Sequence, residues 1–308
     1  MKTIAETPIP SGPAILERTI ALSLCLHGIS AQRKADMNGI ETDADKDLLR
    51  LSKRILQCPE LAALRKADTA IKAWLVERSL PSPFREGIYL LPVGLLAEID
   101  ARLEAYIATE RPALVEALLD VYPKYQGLDQ LKLGTLYDAH NYPSATRLRR
   151  AFRVTSAYLT LSVPGQLADV SAHAHAKAQA RAEALWAEAG QEIRAALREA
   201  TAQLVRRMVA RLTDDADGRQ RRLHASSWEK AKEFLSLFHH RDLTKDGALA
   251  ELVARAQALL EGHDVDDVRE DETLRTEIRV GFEALEREAA ALVEAVPSRR
   301  ILLEEAGA

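Results

Sequence analysis

Alternating apolar and polar residues predict a few short strands in the N-terminal half of the chain. In residues 20–27, and again in residues 158–163, every second side chain is a bulky aliphatic one, which is typical of a strand with one buried face. Residues 88–91 form a third candidate strand that stops at Pro92. Because only these three stretches qualify, we expect one small sheet rather than a doubly wound fold.

Apolar residues spaced three or four apart predict helices between these strands. Residues 43–57 and residues 60–78 have this spacing and are separated at Pro59. A longer helix is expected over residues 93–122. Pro112 predicts a kink or a restart within it, because proline lacks the backbone donor that a helix interior needs.

Proline and serine positions predict a loop and a short helix in the next part of the chain. Residues 122–127 contain a proline and a glycine and are expected to form a loop. Ser144 follows Pro143 and is placed to cap a short helix that ends near Phe152. These features complete the predicted N-terminal half.

One long helical pattern dominates the C-terminal half. Residues 166–212 contain no proline and a single glycine, Gly190. A continuous helix of about 47 residues would be a rod of about 70 Å, which outgrows one compact core and needs an antiparallel helical partner. Its apolar face consists of Ile193, Leu197, Ala200, Leu204, Met208 and Leu212.

Further helices are predicted after the polar break at residues 213–218. Ser226 and Glu229 have the spacing of a capping box at the start of the first one. The other two are expected near residues 246–260 and residues 272–296. They supply the antiparallel partner that the long helix needs.

The combined pattern predicts a mainly α protein. We expect long antiparallel, coiled-coil-like helices and a small accessory β-sheet of about three short strands. The predicted domains are a mixed α+β domain over residues 1–164, which begins with an extended arm over residues 1–17, and an all-helical domain over residues 165–308.

Composition and charge limit the classes of protein that fit. The 308 residues are 47% hydrophobic and 29% charged, which indicates a globular chain. A net charge of −4 excludes a globally basic nucleic-acid binder but not a local basic surface. No apolar run approaches the roughly 20 residues that cross a bilayer, so we expect a cytoplasmic protein without a membrane partner. Cys25 and Cys58 are expected to be buried, reduced thiols.

Motifs that carry catalysis or cofactor binding do not occur in the sequence. It lacks both glycine-rich phosphate-binding loops and the nucleophile elbow, so no cofactor is predicted and neither an ATPase nor an α/β-hydrolase is expected. The acidic stretch at residues 264–272 fails as a calcium loop, because Arg269 and Arg275 stand where glycine and glutamate are required. We expect Asp271 or a neighbour to cap the last helix instead.

Two pairs of histidines are expected to have structural roles. His173 and His175 lie two apart on a predicted helix, so they face different directions and cannot share a metal there. His239 and His240 are expected at a helix C-terminus, where imidazolium interacts favourably with the helix dipole. An enzyme with an unfamiliar site remains an alternative, and a bound metal or a buried cluster around His239 and His240 would distinguish it.

Basic residues are concentrated in two groups. The simplest interpretation is that basic helices lie against the acidic stretch at residues 261–288 as salt-bridged, solvated faces. The alternative is that they bind an acidic partner or the phosphates of nucleic acid. The candidate binding residues are Arg147, Arg149, Arg150 and Arg153 in the first group, and Arg206 and Arg207 in the second.

Several stretches carry a resemblance to a known family. They are residues 51–60, 87–92, 141–144, 150–154, 228–238, 260–262 and 274–278. On these stretches the chain resembles an uncharacterised family of bacterial, phage and mobile-element proteins over roughly residues 20–295. The resemblance implies a gene beside those of a MoxR- or CobS-type AAA+ ATPase and a CobT-like protein with a von Willebrand factor A domain.

Two hypotheses for function follow from the sequence and the resemblance. The first is a non-catalytic helical adaptor or scaffold of that ATPase and von Willebrand factor A system. The second is a nucleic-acid-binding accessory factor in recombination or defence, acting through the two arginine groups. No catalytic or metal-binding residue is predicted, and a homo-oligomer is compatible with the sequence.

Overall fold

The fold is mainly α, as the sequence predicts, and the chain divides into two compact units. The computed structural model describes residues 17–35, 48–80, 87–214 and 221–294. The N-terminal unit comprises residues 20–79 and 84–160, and the C-terminal unit comprises residues 161–308 with residues 1–19 and 80–83. The arm predicted over residues 1–17 lies, apart from Glu17, outside the described residues.

The N-terminal unit contains two small sheets. A three-stranded sheet has the order β4–β1–β5, and β1 pairs antiparallel with β5 so that Leu22 lies opposite Tyr158. A two-stranded antiparallel sheet pairs β2 with β3. The strands are β1 (Thr19–Leu26), β2 (Gln32–Lys34), β3 (Ser52–Arg54), β4 (Ile88–Pro92) and β5 (Val154–Leu159).

Two strand predictions need correction. The strand expected at residues 158–163 instead spans Val154–Leu159, because pairing with β1 sets its register. β5 is an edge strand whose last five residues are exposed, so its own apolar alternation does not report burial. The prediction of a helix over residues 43–57 is wrong in the described part of the chain, because Ser52–Arg54 forms β3. Residues 43–47 lie outside the described residues.

In the described part of the N-terminal unit, four α-helices pack beside the sheets. Leu61, Leu64 and Leu118 are buried in a common core. Ser144 caps the short fourth helix as predicted, with its Oγ accepting from the backbone N of Arg147 at 3.4 Å. The helices are α1 (Pro59–Arg78), α2 (Leu96–Ala105), α3 (Arg111–Leu133) and α4 (Ala145–Ala151).

The two prolines of this helical region behave differently. The helix does not restart at Pro112, because a π-turn at Tyr106–Glu110 joins α2 to α3 with helical backbone throughout; this turn interrupts the α-helical hydrogen bonding just before the proline. The loop predicted at residues 122–127 is wrong, since α3 continues through Pro123. Burial of Tyr122 before the proline and Asp129 after it keeps the helix intact despite a cost of about 3 kcal/mol.

The C-terminal unit is entirely helical in the part that the structure describes. The predicted long helix is present but breaks at Ser171, whose Oγ caps the 41-residue α6 by accepting from the N of Ala174 at 3.2 Å. The capping box predicted at Ser226 is wrong, because His224 occupies the N-cap position. The helices are α5 (Gln166–Val170), α6 (Ala172–Leu212), α7 (Ala225–Arg241), α8 (Gly247–Leu260), α9 (Val265–Glu270) and α10 (Glu272–Glu294).

The antiparallel partner of α6 is α10. Arg275, near the start of α10, donates to the carbonyl oxygen of Leu212 at the end of α6, at 3.2 Å. Arg198, near the middle of α6, donates to the carbonyl oxygen of Leu292 near the end of α10, at 3.0 Å. The two helices therefore run in opposite directions, as predicted. Asp271 caps α10 by accepting from the N of Thr273 at 2.8 Å.

Within the described residues, no helix combines the length and the apolar character that a membrane span requires.

Candidate functional site

The first arginine group lies on and just after α4 in the N-terminal unit. Leu148 is fully buried and Phe152 is 6% exposed, so these two side chains anchor the helix to the core. This anchoring turns the four arginines outwards, and each of them is exposed. We call Arg147, Arg149, Arg150 and Arg153 the α4 arginines.

One of the α4 arginines is already paired. Arg149 donates through Nε and Nη2 to both carboxylate oxygens of Glu116 on α3, at 2.8 and 2.6 Å. The hydrogen bond from Arg149 lowers the pKa of the Glu116 carboxyl. Because both side chains are more than half exposed, water screens the pair and it contributes little to stability. Arg149 is therefore the least available of the four to an outside anion.

The other three α4 arginines are available for binding. Within the described residues, the side chains of Arg147, Arg150 and Arg153 make no hydrogen bond or ion pair. The backbone carbonyl of Arg153 accepts from the N of His27 at 3.0 Å, which fixes the end of the group beside the segment that follows β1. Three unpaired guanidinium groups on one short element are suited to phosphate or carboxylate oxygens.

The second arginine group lies in the C-terminal unit. Arg206 and Arg207 are both exposed on α6, and Nε of Arg207 donates to the backbone carbonyl of Gln203 at 3.1 Å. Neither forms an ion pair within the described residues, so although α6 packs against α10 from the acidic stretch, the salt bridges predicted for these two arginines are not found there. The six predicted arginines thus belong to two units rather than to one described site.

A polar pocket in the N-terminal unit was not predicted from the sequence. It has a volume of about 340 Å³, and five of its six lining side chains are polar. Ala31 is buried at its floor, and none of the lining residues is acidic. We call it the basic pocket; its lining residues are Ser30, Ala31, Gln32, Arg54, Gln57 and Arg65.

Strand pairing positions the two sides of the basic pocket. Gln32 of β2 lies opposite Arg54 of β3, and both side chains are exposed. Ser30 holds the rim, because its Oγ donates to the backbone O of Gln32 and accepts from the N of the same residue, both at 3.1 Å. Arg65 reaches across from α1, where its Nη2 donates to the carbonyl oxygen of Ile29 at 3.2 Å.

An exposed thiol–imidazole pair occurs on β1, which corrects the prediction that both cysteines are buried. Cys58 is buried but Cys25 is exposed, and both are free thiols. Cys25 Sγ lies 3.9 Å from Nδ1 of His27, whose Nε2 lies 3.0 Å from Oγ1 of Thr155 on β5. The pairing of β1 with β5 places Thr155 directly beside Cys25.

The two histidine pairs considered in the sequence occupy the predicted positions. His173 and His175 lie on α6, and His239 and His240 lie in the last turn of α7 with their ring centroids 3.7 Å apart. His239 is exposed and His240 is half-buried, so no buried cluster surrounds them. Within the described residues, no group of three or more histidine, cysteine or acidic side chains is arranged to hold a metal ion.

The basic pocket could have been suspected from two pairs of basic residues. Arg33 with Lys34, and Lys53 with Arg54, put four cations into two three-residue strands that pair with each other. Strands this short show no periodicity, and the predicted helix at residues 43–57 concealed the second pair. Only the tertiary fold brings Arg65 to them.

Comparison of the chain with protein-family models, with curated proteins and with solved structures gives no match.

Proposed function

We propose that the protein is a non-catalytic helical adaptor or scaffold in a system built from a MoxR-type AAA+ ATPase and a von Willebrand factor A protein. The resemblance of the sequence supplies the identity of the partners. The shape and exposure of α6 supply the physical support. An adaptor needs an accessible recognition element on a stable base, and α6 combines the two.

The two ends of α6 differ in burial, and this difference is the observation that carries the proposal. From Trp186 onwards, buried side chains recur every three or four residues and pack against α10 and its neighbours. In residues 172–185 no side chain is buried, although the helix is continuous and capped by Ser171. These first 14 or so residues, about 20 Å of helix, form an accessible recognition element.

Co-purification with the ATPase and the von Willebrand factor A protein tests this function. The three proteins are co-expressed, and association is measured without nucleotide, with ADP and with a non-hydrolysable ATP analogue. We expect association in at least one nucleotide state. A lack of association in every state contradicts the proposal.

Charge reversal locates the contact on α6. Lys177 and Arg181 are exposed in the accessible recognition element, whereas Arg206 and Arg207 are exposed on the part of the same helix that packs against α10. We expect Lys177→Glu with Arg181→Glu to weaken association. Arg206→Glu with Arg207→Glu is the matched control, with the same charge change, and is expected to leave association intact. The opposite result would move the contact to the packed part of α6.

Nucleic-acid binding is the second candidate function, and the unpaired α4 arginines favour it. Arg147, Arg150 and Arg153 are exposed and have no anionic partner within the described residues, which is unusual for a chain rich in acidic side chains. Phosphate contacts from such residues supply sequence-independent affinity that weakens as salt rises.

Neutralising the unpaired arginines tests the second candidate. We expect Arg147→Gln, Arg150→Gln and Arg153→Gln together to weaken DNA binding at low salt. Arg149→Gln is the control, since Glu116 already occupies that guanidinium, and is expected to have a smaller effect. No DNA binding by the unmodified protein at low salt would remove this candidate.

A further inference from the structure

We infer that the basic pocket binds a phosphate of a nucleic-acid backbone. The inference rests on nucleic-acid binding, the second candidate function, and assigns it a site that none of the predicted arginines forms. The pocket brings together two guanidinium groups and two carboxamides, all of which can donate hydrogen bonds to an anion, beside the Ser30 hydroxyl, which already donates to the backbone O of Gln32.

The pairing of β2 with β3 puts the cations whose side chains already have partners on one face of the sheet and the cations without partners on the other face. Side chains alternate between the two faces of the sheet. On the inner face, Lys53 is buried and its Nζ donates to the carbonyl oxygen of Leu136 at 2.5 Å, while half-buried Arg33 donates to the carbonyl oxygen of Ser30 at 2.9 Å. On the outer face, Lys34 and Arg54 are exposed and have no side-chain partner within the described residues.

The two guanidinium groups of the pocket retain free donors. Arg54 has all five of its N–H donors free of partners within the described residues, and Arg65 uses one of its donors on Ile29. Guanidinium groups match the oxygens of phosphate in a two-point geometry that lysine cannot reproduce. Since no carboxylate lines the pocket, an incoming anion has no competitor there.

The form of the pocket favours a passing chain over an enclosed small molecule. Gln32, Arg54, Gln57 and Arg65 are all exposed, so the pocket is open at its rim. Its volume of about 340 Å³ lies at the small end of the range for ligand pockets, which suits one phosphate and part of its sugar.

Further cations extend the pocket in two directions along one chain segment, residues 27–34. Lys34 lies at one end of the segment. At the other end, the backbone N of His27 donates to the backbone carbonyl of Arg153. Between these two ends, Arg65 donates to the carbonyl oxygen of Ile29. The seven steps from residue 27 to residue 34 span at most about 25 Å, so the chain positions that carry these cations lie within the length of a few consecutive phosphates. This row of cations favours a polymer over a free mononucleotide.

Fluorescence anisotropy with a labelled single-stranded DNA oligonucleotide tests the site in the full-length protein. We expect Arg54→Gln with Arg65→Gln to weaken binding about tenfold and to make the plot of log affinity against log salt less steep by about 0.7, the value for one lost phosphate contact on a single strand. Arg54→Lys with Arg65→Lys keeps the charge but removes the two-point hydrogen bonding of the guanidinium groups. We therefore expect the affinity to fall while the salt slope stays unchanged.

Lys72→Gln with Lys132→Gln is the matched control. Both lysines are exposed in the same unit, the charge change is identical, and neither lines the pocket. We expect this variant to bind DNA about as well as the unmodified protein does. A loss of affinity equal to that of the arginine variant would overturn the pocket, because binding would then follow net charge alone.

The other outcomes separate the site from the function. DNA binding that is insensitive to the Arg54 and Arg65 changes overturns the pocket and leaves the nucleic-acid function standing. No DNA binding at low salt removes both. Two results would overturn the assignment to a nucleic-acid backbone. One is that inorganic phosphate binds in a calorimetric titration while the oligonucleotide does not. The other is that polyglutamate at an equal concentration of charge displaces the oligonucleotide.

Discussion

Asp129 shows how one buried carboxylate organises the N-terminal unit. It is only 8% exposed, and its Oδ2 accepts from the backbone N of Leu56 at 2.7 Å and from the hydroxyl of Tyr142 at 2.9 Å. Leu56 has a φ of 53°, a conformation that side chains with a Cβ rarely adopt. The carboxylate therefore holds a strained turn between β3 and α1, directly beside the residues that line the basic pocket.

Removing the Asp129 carboxylate is expected to destabilise this turn. Asp129→Ala leaves a buried N–H and a buried hydroxyl without an acceptor, so we expect the free energy of unfolding to fall by about 2–3 kcal/mol. Tyr142→Phe removes one donor only and is the graded comparison, with an expected loss of about 1 kcal/mol. Urea denaturation measures both, and equal losses would contradict the role assigned to Leu56.

Tyr122 gives the unit a defined sensitivity to alkaline pH. Its hydroxyl donates to the carbonyl oxygen of Pro143 at 2.7 Å, and burial raises its pKa from 10.0 to about 12. Between these values the unfolded chain loses the phenolic proton while the folded chain keeps it, so folding stability falls as the pH rises through this window. Below about pH 10 the contribution is fully present.

The alkaline effect is expected to depend on the Tyr122 hydroxyl. We predict that the melting temperature falls between about pH 10 and about pH 12, and that the fall is smaller in Tyr122→Phe, which has no proton to lose. Comparing the pH-dependent change within each protein cancels the constant cost of the substitution. The same fall in both proteins would show that other groups cause it.

The two cysteines are expected to react at very different rates. Cys25 is exposed, whereas Cys58 is buried and burial raises the pKa of its thiol above the usual 9.0. A thiol reagent such as Ellman's reagent requires access and the thiolate form. We predict that one thiol reacts in the folded protein and that the second reacts only on unfolding. Cys25→Ala should abolish the first reaction, and a fast reaction that survives in this variant contradicts the assignment.

At the scale of elements, most helices and the three-stranded sheet follow from local pattern, and the exceptions have two causes. β1, α1, α4 and α6 have long periodic stretches or a capping serine, so the sequence predicts them. β2 and β3 have three residues each, too few to show a period. Pro123 lies within α3 because packing on both sides of it outweighs its local preference.

The candidate site divides in the same way. The α4 arginines lie close together in sequence, on or just after one short predicted helix, so their exposure could be anticipated. The basic pocket needs Arg54 from β3 and Arg65 from α1 beside a turn at Ser30, and no local pattern relates these three residues. Pairing between Gln32 and Arg54 brings them together, which is a property of the fold.

Two arginines stabilise the α6–α10 pair through backbone carbonyls. Arg275 is 4% exposed and donates to the carbonyl oxygens of Leu212, Arg211 and Arg221, which places a cation at the negative end of the α6 dipole. Arg198 is 5% exposed and also pairs with buried Asp246 at 2.6 Å. Both charges are compensated, as buried charges must be.

Close contact between α8 and α10 means that a side chain at Gly281 requires the side chain of Leu259 to move. A Cβ atom at Gly281 would lie 2.6 Å from Cδ2 of Leu259. We expect Gly281→Ala to lower the free energy of unfolding by about 1 kcal/mol despite the better helix propensity of alanine. The control is Gly127→Ala on α3, where a Cβ meets nothing within 4 Å and stability should rise by about 0.5–1 kcal/mol.

The double variant Gly281→Ala with Leu259→Ala distinguishes the clash from other effects. If Leu259 is the obstacle, then Gly281→Ala costs nothing when it is made in the Leu259→Ala background. Thermal denaturation of the four proteins gives the coupling between the two positions. Additive effects would show that the two side chains do not interfere.

At the scale of the whole molecule, net charge and local charge point in opposite directions. The chain carries a net charge of −4 and has a sequence pI of about 6.1, yet the basic pocket and the α4 arginines present unpaired cations in one unit. Salt screens exposed charges beyond about 10 Å at 0.1 M ionic strength, so distant acidic residues have little influence on this surface. The local surface therefore decides how the N-terminal unit meets an anion.

This separation predicts how nucleic-acid binding depends on pH. Arginine stays protonated throughout the accessible range, so binding through Arg54, Arg65 and Arg153 should change by less than about threefold between about pH 6.5 and about pH 9, at constant ionic strength. Over the same range the protein as a whole becomes more negative, since its pI is about 6.1. Binding that disappeared above about pH 7 would instead implicate histidine, the side chain whose charge ordinarily changes near neutral pH. Anisotropy titrations across this pH series measure the dependence for the unmodified protein and for the Arg54→Gln and Arg65→Gln variant. The comparison distinguishes arginine from histidine, because only histidine-dependent binding would retain its pH profile in that variant.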